Sequence, residues 1–385
     1  MPRARILSIS LSPLTRDARV LRQLRVLARH GDVTTVGYGP APDGTAGHLR
    51  VDDGAPSLPR SVGGVLGLAL RRHRRVELAA RGLRQARDLV GDARFDLVVA
   101  NDARALPLAF AVAHGAPTWA DMHEWAAEEF SHVLVWRTLI GPLMDDICRR
   151  YLPGCGAVTT VCEPLALRYT DTYGVACEVV RNAGPYRDLA PTPLDDAGVR
   201  LVHSGAAIRG RNLEMLIRST LALPRFTLDL YLVPAADGGR YLRELHELAQ
   251  GSERVRFHDP VPPDELPATL NAYDVGAFCM PPINVNAEFA LPNKFFDFVQ
   301  ARLAQAVGPS PEMARLVRDL DLGVVADDFT QEAFTAALDH LDADRIRRSK
   351  KAADTHARAL SDETDAAVMA GIVERLLAGP STTRA

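Results

Sequence analysis

The sequence predicts an α/β protein made of two parallel-sheet domains, and three observations carry that expectation. Short β-branched runs alternate with segments of helical periodicity. The alternation restarts near residue 200. Between the two series, residues 182–199 hold Gly184, Pro185, Pro191, Pro193 and a pair of aspartates, the composition of a linker.

In the first series, strands are expected at 5–10, 32–36, 96–100, 117–120 and 157–161, with helices over 17–29 and 71–90. In the second, they are expected at 200–204, 227–233, 254–258, 274–280 and 305–308. The resulting division is a first domain over 1–183, a linker over 184–198 and a second domain over 199–361. A helix over 362–378 follows, set to pack back on the first domain, and then a disordered tail over 379–385. Parallel α/β sheets bind ligands at the carboxyl ends of their strands. Two Rossmann-like domains facing across a cleft would therefore each hold one substrate.

Composition narrows the function classes. A chain of 385 residues can fill two hydrophobic cores, and 47% hydrophobic with 24% charged residues is ordinary for a globular protein. The net charge of −3 gives no global reason to expect nucleic acid or an anionic membrane as partner. Five cysteines and an opening Met-Pro-Arg without an apolar signal core suggest the cytoplasm with reduced thiols. Cys148, Cys155 and Cys162 recur every seven residues, but Pro153 and Gly154 interrupt any helix carrying them, so they read as packing residues. No run reaches the roughly 20 apolar residues of a membrane span. Residues 65–87 are rich in arginine from Arg71 to Arg87, opposed by Glu77, and carry Leu66, Leu68, Leu70 and Val76. That segment fits either a peripheral contact with an anionic membrane or a solvated helix.

The first βα turn, Ser10 to Asp17, has no glycine, which argues against a nicotinamide or flavin cofactor. P-loop and nucleophilic-serine motifs are absent as well. Lys294 stands out instead, because it is the only lysine in the first 349 residues of an arginine-rich chain. It lies in Leu291-Pro292-Asn293-Lys294-Phe295-Phe296-Asp297. Lysine offers a compact, rotatable charge where arginine offers a planar fork. Pro292 suits the first turn of a helix, and Phe295, Phe296, Phe298 and Val299 would anchor it. Free amides and the dipole at a helix start favour phosphate, and the carboxylate of Asp297 one turn on suits the hydroxyls of a ribose. The pattern points to a sugar-nucleotide diphosphate; the alternative is a lysine on a solvated helix face.

Several segments together resemble the retaining glycosyltransferases of the GT-B fold, family four, in the subgroup with an L-P-N-K segment. They are Asp17-Ala18-Arg19-Val20, Phe95 to Asp102, Ala120-Asp121-Met122-His123-Glu124 and Val179 to Pro185. The second half adds His203-Ser204-Gly205, Arg211-Asn212-Leu213-Glu214, Val261 to Leu266, Leu291 to Phe298 and Pro309 to Glu312. The resemblance implies transfer of a sugar from a nucleotide diphosphate sugar to a hydroxyl acceptor with retention of anomeric configuration. The acceptor stays open between a glycan, a lipid-linked molecule and a small molecule.

By the same resemblance, Arg211 and Lys294 would neutralise the leaving diphosphate, with Arg209 in reserve. Gly205 would let the backbone approach the diphosphate, and Asn293 would sit at the helix start. Asp297 stands where the family places the second acid of its E-x7-E motif. The first acid is displaced: Glu288 lies nine positions before Asp297 and Phe289 holds the expected place. Glu288 is either a donor-sugar ligand or a surface acid. His123 would either orient a donor hydroxyl or the reacting centre or be a satisfied structural histidine; Asp121 or Glu124 would set its tautomer, and Glu124 could itself face the acceptor. Asp17 and Arg19 would either touch the acceptor or begin a helix. Phe130, Val133, Val135, Trp136 and Ile140 would either line an apolar acceptor cleft or pack the first domain. Arg302 replaces the family's helix-ending glycine and Ala304 its proline, so the helix is expected to end differently. No cofactor or metal is expected, since fixed cations and helix amides can do the work of Mg²⁺. The alternatives are a nucleotide-sugar epimerase of the same fold and a catalytically silent relative that binds a nucleotide sugar.

Overall fold

A computed structural model of the chain describes residues 3–195, 198–235, 237–249 and 251–379. It divides into two compact units. The first comprises Met1–Arg181, Asn284–Asn286 and Asp365–Ala385; the second comprises Asn182–Ile283 and Ala287–Thr364. Positions 380–385 of the expected tail lie outside the described residues.

The first unit is built on β1 (Ala4–Pro13), β2 (Gly31–Tyr38), β3 (Gly47–Arg50), β4 (Leu97–Asn101), β5 (Thr118–Met122), β6 (Ala157–Thr160) and β7 (Cys177–Val179). All are parallel, in the order β3-β2-β1-β4-β5-β6-β7. Ile9 aligns with Val36 on one side and Ala100 on the other. The order reverses between β1 and β4, which makes their carboxyl ends the expected ligand crevice.

The second unit repeats the plan with β8 (Val199–Ala207), β9 (Phe226–Pro234), β10 (Val255–His258), β11 (Val275–Phe278), β12 (Ala304–Val307) and β13 (Gly323–Val325). These are also parallel, in the order β10-β9-β8-β11-β12-β13, with the reversal between β8 and β11. Ten of the thirteen strands fall where the sequence places them. The other three, β3, β7 and β13, are three or four residues long and lie at sheet edges. An edge strand pairs on one side and needs no continuous apolar run, so the pattern that marks the central strands is missing there.

Each sheet has its own core. In the first unit Ile6, Leu24, Val33, Leu97 and Trp119 are buried together with Met369, Ile372, Val373 and Leu376. The latter four come from the last helix, Asp362–Leu377, which thus packs back on the first unit. Asp365 ties its start down by accepting from the Arg181 backbone N–H at 3.1 Å and Nε at 3.2 Å. In the second unit Leu201, Leu216, Phe226, Leu228, Ala306 and Phe334 form the core.

The segment expected as one helix over 71–90 is broken. The chain forms Val62–Ala69, His73–Val76 and Arg81–Val90. Arg71 takes a left-handed conformation (φ 55°), which ends the first piece. Glu77, the one acid among the arginines, is buried and accepts from Arg150 and Tyr151. A continuous amphipathic helix over 65–87 is therefore ruled out. Within the second unit, the helix Asn293–Gln300 lies so close to β11 that a Cβ on Gly276 would meet Phe298 Cγ at 2.3 Å. Glycine at 276 seats that helix against the sheet.

The expectation for the end of this helix is also corrected. Arg302 adopts φ 60° in the glycine position, with its N–H donating to the Val299 carbonyl at 3.0 Å and Leu303 N–H to Phe298 at 3.0 Å. That is a Schellman ending with arginine where glycine is usual. The cost of the left-handed backbone is offset by the side chain, which is fully buried. It donates to Asp354 (2.9 Å) and to the carbonyls of Gln300 (2.8 Å) and Arg187 (2.7 Å).

Candidate functional site

The second unit places a cavity of about 440 Å³ at the carboxyl end of β8, where the strand order reverses. It is lined by Ser204, Gly205, Arg211, Asn293, Lys294 and Asp297, with Tyr231 and Val261 beside them. Gly205 has φ 139°, and a Cβ there would lie 3.1 Å from Lys294 Nζ and 3.2 Å from an Arg211 guanidinium nitrogen. Glycine thus keeps open the point on which both cations converge.

Lys294 is 8% exposed, one residue into its helix. Its Nζ is 3.3 Å from His203 Nε2 and 4.5 Å from the Phe278 ring centroid. The other ring nitrogen of His203, Nδ1, lies 2.8 Å from the Ala277 carbonyl oxygen and must donate to it. That contact leaves Nε2 as a lone pair facing Lys294. Burial, then Lys294, hold His203 well below the usual histidine range, so it is neutral. Burial and the neighbouring Arg211 lower Lys294 to about 7, against the pull of Asp297. Burial likewise lowers Arg211. Two cations forced together in a partly dry cavity, with Asp297 on the same lining, would be relieved by an anion.

Two expected donor residues are not in this group. Arg209 is exposed, pairs with Glu244 and lies over the Tyr241 ring at 5.1 Å. Glu288 is exposed and does not line the cavity. His203, which sequence reasoning left outside the site, does belong there. Its signal was weak, a polar residue in the middle of an apolar strand.

The first unit gathers a second group at the ends of β4 and β5. Asp121 is fully buried, at the end of β5. It accepts from Arg19 Nε (2.9 Å) and Nη2 (2.6 Å), Gln23 (3.0 Å) and Thr159 (2.6 Å). Burial opposes its charge, but Arg19 and His123 hold its carboxyl well below the usual range. Arg19 also donates to the Val180 carbonyl at 2.7 Å. Arg19 and Asp121 are therefore the buried frame of the group. Asp17 caps the helix Ala18–His30, accepting from Val20 N–H at 3.1 Å. Those contacts give Asp17, Arg19 and Asp121, the three residues expected on the acceptor side, a place in the frame of this group.

His123 lies between two carboxylates, with Nδ1 3.4 Å from Asp102 and Nε2 3.5 Å from Asp121. Burial would lower its pKa, but Asp102 and Asp121 together raise it to about 9, so the ring is a cation at neutral pH. Asp102 is a further residue that sequence reasoning left out. Its backbone sits at φ 67°, an uncommon place for a non-glycine residue, held by a bond to the Asp121 carbonyl (2.9 Å). Its carboxylate accepts from the His123 backbone N–H at 3.1 Å.

Glu124 and Glu129 complete the group. Burial, then Glu129 and Asp102, push Glu124 up to about 7; its side chain still reaches solvent, and water attenuates that push. Burial and Asp102 push the half-buried Glu129 up to about 7. A fixed cation beside a half-buried carboxyl held near neutrality, Glu129, can orient and move protons. Among the described residues, no group of three or more His, Cys, Asp or Glu is placed to hold a metal ion. No described helix is long and apolar enough to cross a membrane.

Residues 18–183 match the model of Glycosyltransferase Family 4, a little under half of the chain. No curated protein matches the sequence. Among solved structures, the chain is similar to sucrose-phosphate synthase from Thermosynechococcus elongatus, with 14% identity and a TM-score of 0.71 over 98% of this chain and 100% of that one. It is similar to Anabaena HepE in complex with UDP, with 14% identity and a TM-score of 0.67 over 96% and 99% of the two chains. WaaG, a glycosyltransferase involved in lipopolysaccharide biosynthesis, matches with 13% identity and a TM-score of 0.62 over 95% and 100%. With two parallel sheets each reversing at its first strand, and these neighbours spanning both, the chain has the GT-B fold of glycosyltransferases.

Proposed function

We propose that the protein is a glycosyltransferase that takes a nucleotide diphosphate sugar in its second unit and a hydroxyl acceptor on its first. One observation carries the reading: Lys294 and Arg211 converge over Gly205, at the reversal point of the second sheet. Two compressed cations are relieved by a diphosphate, and Asp297 on the same cavity suits the ribose hydroxyls. That HepE has been solved with UDP and with UDP-glucose supports a donor of this class.

In the proposed reaction the bond between the anomeric carbon and the diphosphate oxygen breaks, and its electron pair stays on the diphosphate. Lys294 and Arg211 stabilise that charge without reorganising. In this proposal they do the work that Mg²⁺ does in other enzymes, and the reaction needs no metal. The acceptor hydroxyl forms the new bond on the same face, its proton passing to the leaving phosphate, and configuration is retained. Cationic His123 orients hydroxyls, Glu129, held near neutrality, exchanges protons on the acceptor side, and Glu124 faces the acceptor.

The test incubates the protein with UDP-, GDP- and dTDP-sugars and follows release of free nucleotide. Release that grows with an added acceptor supports transfer. Turnover of the sugar without acceptor and without nucleotide release indicates epimerisation. Tight nucleotide binding with neither outcome indicates a silent relative.

A further inference from the structure

Two cavities of the first unit share one residue and differ in chemistry. The first, of about 620 Å³, is mixed, and its polar lining includes Thr15, Arg16, Tyr38, Ser57 and Arg60. Its one lining carboxylate, Asp53, is already held by Arg50 at 2.6 Å and by the Gly39 N–H at 2.9 Å. Arg16 and Arg60 are exposed and form no ion pair among the described residues. The second cavity, of about 410 Å³, is apolar, lined by Leu58, Val65, Leu68, Phe130, Trp136 and Ile140 among others. Arg60 lines both.

Around the apolar cavity the hydrophobic side chains continue into solvent. Val62 is 88% exposed, Leu66 57% and Leu134 63%, and Leu70 and Val135 are exposed as well. A cluster of this kind is uncommon on a soluble surface. Along the first of its two segments the charge has one sign. From Gly54 to Val76 the chain carries five arginines and no carboxylate. Arg71, Arg72, Arg74 and Arg75 are exposed, and none forms an ion pair among the described residues. Exposed aliphatic side chains beside unpaired arginines are the chemistry of an anionic lipid surface. The broken helices do not weaken this, because the surface is formed by two segments and not by one amphipathic helix.

We infer that this face docks on an anionic bilayer and takes a phosphate-headed lipid, its head in the Arg16–Arg60 cavity and its chain in the apolar groove. The inference deepens the acceptor role of the first unit and rests on that reading for its catalytic meaning. The docking itself does not depend on it.

The test uses the full chain with vesicles of phosphatidylcholine alone and of phosphatidylcholine mixed with phosphatidylglycerol. Wild type co-sediments with the mixed vesicles and about tenfold less with the neutral ones. Arg60→Ala and the double variant Leu66→Asp/Leu134→Asp each lose about tenfold, while keeping the wild-type Tm and nucleotide stabilisation. Mixed vesicles with brominated chains quench tryptophan fluorescence in wild type but not in Trp136→Phe. No co-sedimentation, binding that ignores these substitutions, or binding of soluble glycerol phosphate without vesicles would each overturn the inference. Nucleotide stabilisation in the same samples reads the donor site separately, so loss of one account leaves the other standing.

Discussion

Lys294 Nζ faces His203 Nε2 across 3.3 Å, and because His203 Nδ1 must donate to the Ala277 carbonyl, the histidine meets the lysine as a neutral acceptor. A buried lysine facing an uncharged histidine is held only weakly, and burial with Arg211 outweighs the pull of Asp297 on its charge. The site is left short of one anion.

The first prediction follows from that deficit. Lys294 sits near 7, lowered by burial and Arg211, and a bound diphosphate would restore its charge. Nucleotide binding therefore takes up protons above about pH 7, approaching one per site near pH 8 and falling off near pH 6. Calorimetry in buffers of different ionisation enthalpy reads the number directly. In Lys294→Met the uptake disappears.

Gly205→Ala tests the geometry of the same point. The residue holds φ 139°, which alone costs on the order of 1–3 kcal/mol for a side chain. The added methyl also presses on both cations, 3.1 and 3.2 Å away. The variant should show a lower Tm and weaker nucleotide binding, with the binding loss exceeding that of an alanine placed at exposed Gly210.

His123 gives a pH dependence of known sign. Its folded pKa of about 9 lies above the ordinary 6.5, raised by Asp102 and Asp121 against burial. Its contribution to stability is complete below about pH 6.5 and is lost as pH rises through 9. Lys294 works in the opposite direction, gaining stability from about pH 7 to 10.5, so the comparison must be with a variant. The difference in unfolding free energy between wild type and His123→Gln should shrink across that window by on the order of 1–3 kcal/mol. A constant difference would remove the charged imidazole from the account.

Arg302 separates backbone from side chain. Arg302→Gly relieves φ 60° but abandons a fully buried guanidinium and its bonds to Asp354, Gln300 and Arg187. Breaking a buried charge network costs about 3–5 kcal/mol, against about 1 kcal/mol of relieved strain. Denaturant unfolding should show a net loss of a few kcal/mol, and Arg302→Ala should lose more than Arg302→Gly.

The sequence was most legible where burial is two-sided. Central strands such as β4 and β11 are continuous apolar runs, and Lys294 is conspicuous because lysine is so rare in the chain. What escaped depends on conformation or on partners distant in sequence. The breaks around Arg71 and the ending at Arg302 rest on single left-handed residues whose compensation lies elsewhere, as Arg302 relies on Asp354 fifty-two positions away. His203 and Asp102 read as ordinary polar residues until the fold sets them beside Lys294 and His123. Arg19 and Asp121 lie 102 positions apart, and nothing local reveals that they satisfy each other.

The most direct measurement is thermal stabilisation of wild type and Lys294→Ala by UDP, GDP, dTDP and ADP. The account predicts that one nucleotide raises the Tm of wild type and that Lys294→Ala loses most of the shift. The lost charge-assisted bond is worth about 1.5–3 kcal/mol. Equal stabilisation of both proteins, or of neither by any nucleotide, would contradict a diphosphate site at Lys294.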